Sequence, residues 1–319
     1  MSNLKRAVLN MASVNMGARK SDRILVLTDD FDKKRTRLAE EVNEILSSKY
    51  NTNFHIYKNT GQNGKEPDKE TAKLLFKYDI IFMINSFSLT HTQARENASK
   101  KGVRIASMPS FERSMFATAM SADYNKVGKR GERLLKFTGK RGQILVESEN
   151  GTMLYVEYPI AFVDDFGKYV KRGDCGNLPS GEIFVASSYV SGTLVIDKGW
   201  FYEEEWGKKN DSPITFTIRN TEITEINGSK LAPRLRKLFF AKKHRKRVAE
   251  LGIGLNDKAR NPLNTLEAEK ILGTIHMAFG NNIHFGGKND SDVHYDFILS
   301  KPSLFVNGKK IINKGKYLF

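Results

Sequence analysis

The feature that most constrains the fold of this chain is a change of period near residue 140. Before it, short apolar runs alternate with amphipathic stretches: residues 24–27 then 32–49, 54–57 then 68–77, 79–84 then 90–101, and 103–106 with 111 onward. Strand and helix in turn predict a parallel sheet with helices on its faces, because parallel neighbours need a long crossover and a helix supplies it. After residue 140, closely spaced strand-like runs at 143–147, 152–158, 182–186, 192–196 and 214–218 are separated by Gly, Asn and Asp. A basic helix is expected over 229–247 and a short one over 266–272, stopped by Gly273. The expected architecture is an α/β N-terminal domain with a parallel sheet and helices over residues 1–140, followed by an α+β metal-binding domain over 141–319.

Within the second half, the run Val293-His-Tyr-Asp-Phe-Ile-Leu299 sets an imidazole and a carboxylate two residues apart. On a strand, residues i and i+2 share a face, so His294 and Asp296 can reach one ion while Val293, Tyr295 and Phe297 pack behind them. A second histidine, His276, lies in a similar run, and Glu182 and Glu250 each lie in a strand-like segment. Two imidazoles and three carboxylates suit zinc, manganese, cobalt or iron rather than calcium or a closed cysteine site. The single cysteine, Cys175, excludes an internal disulfide and a CxxC ribbon. No GxGxxG follows the first strand, so no dinucleotide-binding residues are assigned.

No apolar run approaches the roughly 18 residues of a membrane span, and the N-terminal residues lack a secretory signal, so a cytoplasmic enzyme without membrane contact is expected. The net charge of +16 attracts anions, and Lys242-Lys-His-Arg-Lys-Arg247 is its densest cluster. Elsewhere the basic residues are interleaved with acids and carry no nucleic-acid motif, which disfavours RNA or DNA as partner and leaves a solvated basic helix face. The cluster also lies just before Glu250, where it can draw an anionic substrate toward the site.

Four ordered blocks carry a resemblance: Gly176-Asn-Leu-Pro-Ser-Gly-Glu182, Glu250-Leu-Gly-Ile-Gly254, Glu269-Lys-Ile-Leu-Gly-Thr-Ile-His276 and Gly286-Gly-Lys-Asn-Asp-Ser-Asp-Val-His-Tyr-Asp296. Together with Ser88-Leu-Thr-His-Thr92 and Arg104-Ile-Ala-Ser-Met-Pro109, they resemble the aminopeptidase T and S family of thermophilic-type metallo-aminopeptidases, in its shorter branch. The resemblance implies a hydrolase that removes N-terminal residues of peptides with a water activated by two divalent ions, zinc, cobalt or manganese, and a homodimer. It implies Glu182, Glu250, His276, His294 and Asp296 as metal ligands, with Glu250 near or between both ions, and Glu269 as proton shuttle or extra ligand. Gly252 and Gly254 alternate with Glu250 and would clear room for substrate backbone.

The chain departs from the larger aminopeptidases where they carry a tyrosine after the first histidine ligand; Asn281-Asn-Ile-His284 stands here, with His284 as a substitute donor. The same superfamily also includes, by resemblance, an iron dioxygenase that opens dihydroxypyridine rings. Under that alternative one Fe(II) would be held by His276, His294 and Asp296, with His91 as a base from the N-terminal domain and a small molecule as substrate. A non-enzymatic binding protein for RNA or another polyanion is the third reading.

Overall fold

The computed structural model describes residues 3–197, 199–201, 204–206 and 212–319. The chain divides into two compact units, one of residues 1–125 and 165–180 and the other of 126–164 and 181–319. It combines a parallel sheet flanked by helices with antiparallel sheets, a mixed α/β arrangement.

In the first unit, Arg23–Asp29, Asn51–Tyr57, Ile80–Met83 and Arg104–Ser107 form a parallel sheet in which Arg23–Asp29 lies between Asn51–Tyr57 and Ile80–Met83. Cys175–Asn177 adds a short parallel strand beside Arg104–Ser107. The helices between these strands start where a side chain takes up orphan backbone donors. Asp32 accepts from Lys34 N ahead of Lys33–Ser47, Asp68 from Glu70 N and Thr71 N ahead of Lys69–Leu74, and Thr92 from Arg95 N ahead of Gln93–Lys100. One sheet face packs Leu25, Leu27, Ile81, Met83 and Ile105 against Leu75, Leu89, Ala94 and Ala98.

The second unit holds an eight-stranded sheet, ordered Glu222–Gly228, Ile214–Arg219, Tyr189–Ile196, Met153–Tyr158, Gly142–Glu147, Ser303–Val306, Lys309–Asn313 and Lys316–Tyr317. In a further sheet, His294–Leu299, Ile275–Gly280, Val248–Gly254 and Glu182–Val185 are antiparallel neighbours in that order. Strand alternation splits the residues of this sheet in two. Ile183, Val185, Leu251, Ile253, Met277, Phe279 and Phe297 are buried on one side. There Phe279 and Phe297 meet Phe216 of the eight-stranded sheet at ring-centroid distances of 5.2 and 4.7 Å, and Phe239 of the helix Ala232–Phe240 closes the cluster. The other side carries the acids and histidines singled out in the sequence.

The basic cluster differs from its expected form. The helix covers Ala232–Phe240 only, and Lys243–Lys246 form a single 3-10 turn. Six cationic or imidazole side chains in succession repel one another on a helix, and here they are drawn to acids on other segments. Lys242 and Arg245 pair with Asp292, and Lys246 with Glu222. Likewise the helix expected over 266–272 is one turn, Thr265–Ala268.

Candidate metal centre

Three neighbouring strands bring the donors together. Register pairs Glu250 with Ala278, and Ala278 with Asp296, so the two carboxylates flank a residue too small to separate them. One ligand atom from each of Glu250, His294 and Asp296 lies within 4.8 Å of the others. His294 Nε2 is 3.6 Å from Glu250 Oε2 and 3.5 Å from Asp296 Oδ2, and its Nδ1 is 2.8 Å from the carbonyl oxygen of Asn281, which fixes the ring. His276 Nε2 is 3.1 Å from Glu250 Oε1 and 3.5 Å from Glu182 Oε2. Its Nδ1 is buried without a hydrogen-bond partner among the described residues.

Gly252 is required for this arrangement, because a Cβ there would collide with the His276 imidazole. The space expected to admit substrate backbone is filled by a ring of the site itself. At Gly254 the crowding comes from the Ile271 carbonyl, so that glycine serves the turn following the Thr265–Ala268 helix.

Sequence reasoning missed Lys270. Its side chain is fully buried, with Nζ 2.5 Å from Glu182 Oε1 and 2.8 Å from Glu269 Oε2. The Lys270 ammonium joins these two carboxylates, and Glu269, expected as proton shuttle or extra ligand, is held there. The only sequence signal was adjacency, Glu269-Lys270, which reads as an exposed helix end. Phe285 was missed as well: its ring meets His294 edge-on at 6.0 Å and Phe184 at 5.4 Å, forming an apolar wall beside the imidazole. His284, next to it, is exposed on the turn Ile283–Phe285. His91 belongs to the first unit, exposed just before the cap residue Thr92.

The electrostatics follow from packing so many charges out of water. Burial opposes the charged form of His276, but the bond to Glu250 and the charges of Glu182, Glu250 and Glu269 outweigh it and raise the imidazole to about 9. Burial likewise opposes charge on His294, and Asp296 with Glu250 lifts it to about 10. Burial pushes Glu269 up to about 8 against the pull of Lys270. Asp296 is held well below the usual carboxylate range because His294 beside it outweighs its burial. The surrounding carboxylates thus favour the imidazolium form of both histidines when no metal is bound.

No curated protein sequence matches the chain. A family model described as NicX, 2,5-dihydroxypyridine 5,6-dioxygenase, matches residues 20–318. The chain belongs to this family. Among solved structures it is similar to a 2,5-dihydroxypyridine dioxygenase from Pseudomonas putida KT2440, with a TM-score of 0.79 at 20% identity over 100% of this chain and 98% of that one. It is also similar to wild-type AmpT from Thermus thermophilus, with a TM-score of 0.67 at 14% identity and 99% coverage of both chains. The aminopeptidase resemblance therefore holds at the level of fold, and the family match overturns the expected activity. The family is one of oxidoreductases, so the expectation of a hydrolase and protease is wrong. The two activities share metal-binding residue types, and the sequence motifs reported those types rather than the reaction. Among the described residues no helix is long and apolar enough to cross a membrane.

Proposed function

We propose that this chain is a ring-opening dioxygenase that acts on a small dihydroxylated nitrogen heterocycle, with one ferrous ion at the Glu250, His294 and Asp296 cluster. The family match over residues 20–318 carries the reading. The donor set supports it: His294 and Asp296 on one strand face, Glu250 beside them, and His276 within reach through Glu250. Imidazole and carboxylate together suit iron, and the bare His276 Nδ1 leaves that ring held by its Nε2 side alone among the described residues.

When bound, ferrous iron supplies the one-electron chemistry that lets dioxygen react with an aromatic ring. The chain's own groups set the stage for it. Asn281 fixes the His294 ring through Nδ1, Lys270 pairs with Glu182 and Glu269, and Phe184 with Phe285 lines the approach to His294 with apolar surface. His276 Nε2 and Glu250 Oε1, 3.1 Å apart, share a hydrogen bond that ties the His276 ring to the cluster.

The test is anaerobic loading with Fe(II), followed by oxygen uptake and the loss of ring absorbance with 2,5-dihydroxypyridine as substrate. Stoichiometric oxygen consumption is expected with one iron per chain. Failure of the iron-loaded protein to consume oxygen with any dihydroxypyridine isomer would overturn the reading.

A further inference from the structure

We propose that a basic cavity of about 470 Å³ in the second unit is a binding site for a small organic anion, a carboxylate- or phosphate-bearing molecule of metabolite size. None of the candidate metal ligands lines it, so it is a separate site. Lys243 and Arg247 reach it from the basic segment, and Lys288 from the loop that precedes the His294 strand. Three cations face a single lining carboxylate, Glu222. That acid is already engaged by Lys246 at 2.9 Å and Arg247 at 3.6 Å. Among the described residues no carboxylate lies within ion-pair distance of Lys243 or Lys288, so the cavity keeps an excess of positive charge.

An oxyanion in the cavity would take up the ammonium donors of Lys243 and Lys288, which no carboxylate among the described residues engages in an ion pair. The wall is rigid rather than a loose surface. Asn289 donates through Nδ2 to the carbonyls of His244 and Gly280, and Asn282 Oδ1 accepts from Asn289 N, tying the loop to the basic turn. The volume exceeds what one inorganic ion fills, so the preferred occupant carries an organic body as well as its anionic group.

Isothermal titration of the full chain, loaded with metal as purified, with inorganic phosphate and separately with succinate tests this. Saturable one-site binding of either is expected, and the tighter of the two identifies the anionic group. In a Lys243→Gln, Lys288→Gln double variant, affinity should fall at least about 10-fold. Far-ultraviolet circular dichroism confirms that these surface changes leave the chain folded. His294→Ala should retain binding. Absence of saturable binding of both anions, unchanged affinity in the double variant, or loss of binding in His294→Ala, which would place the anion on the metal, would each overturn the proposal.

Discussion

The two sides of the sheet that carries the metal centre are built from the same four strands and differ only in the parity of their residues. One side is apolar and closes against Phe216 and Phe239; the other presents Glu182, Glu250, His276, His294 and Asp296 to one another. The apolar side gains stability from burial, about 25 cal/mol per Å² of apolar surface. The polar side opposes it, since four acids, two imidazoles and an ammonium are held out of water. The comparison teaches that stability and chemistry are separated here by a single-residue step along each strand, so substitutions one position apart should fail in different ways.

The largest contrast is between adjacent residues 296 and 297. Asp296→Ala removes a carboxylate from the three-donor cluster and should abolish stoichiometric iron binding and oxygen uptake, while the metal-free protein stays folded with its thermal midpoint lowered by the lost pairing with His294. Iron content and activity of the purified variant check this. Phe297→Ala should instead destabilise the fold by about 3–5 kcal/mol, because the ring is fully buried against Phe216 and Phe279 and leaves a cavity. Urea unfolding measures it, and the folded fraction should still bind iron. Loss of iron binding in a fully folded Phe297 variant would break the separation of the two sides.

The separation was legible in the sequence because period-two alternation is a local signal. The alternation alone assigns His294 and Asp296 to one side and Tyr295 and Phe297 to the other. What joins residues distant in the chain was not legible. Lys270 is buried only because Glu182, 88 residues away, meets it. Phe285 reads as a loop residue, and its contact with His294 depends on the loop's return. The basic cluster was expected on a helix, but its acids lie on other segments, Glu222 and Asp292. Cys175–Asn177, which joins the first unit's sheet, is three residues long and has no periodicity to read. The reaction was the least legible of all, since imidazole and carboxylate donors serve peptide hydrolysis and oxygen chemistry alike, and the family match decided between them.

Protons sharpen the comparison next. His276 and His294 rise from an ordinary 6.5 to about 9 and about 10, so in the metal-free protein they contribute stability that is fully present below pH 6.5 and is lost as pH rises through 9 to 10. Metal binding needs the neutral imidazoles and runs the other way. Between pH 6.5 and 9, where two protons leave as one ion enters, metal affinity should rise about 100-fold per pH unit. The midpoint of the metal-free protein should fall with pH while that of the loaded protein holds, so the gap between the two melting curves widens. A gap that stays constant over this range would show that the imidazoles are neutral before the ion arrives. The apolar side holds no carboxylate, imidazole or amine, so it contributes nothing to this slope.

The smallest expected effect lies at Gly252, on the polar side, and Gly254 supplies its control. A methyl group on Gly252 meets the His276 ring, a side chain that can swing about its own torsions. Gly252→Ala should therefore displace that imidazole from Glu250 and cost metal affinity about 10- to 100-fold, with little loss of fold. A methyl on Gly254 meets the Ile271 carbonyl oxygen, which belongs to backbone and cannot turn aside. Gly254 N also bonds to Thr274 O, and its own carbonyl accepts from Gly273 N and Tyr317 Oη. Gly254→Ala should then lower the unfolding midpoint more than it lowers the affinity of the chains that remain folded. Iron titration and urea unfolding on both variants read the two quantities independently. If Gly252→Ala lowers stability as much as Gly254→Ala and leaves metal affinity intact, His276 packs as a core side chain and takes no part in holding the ion.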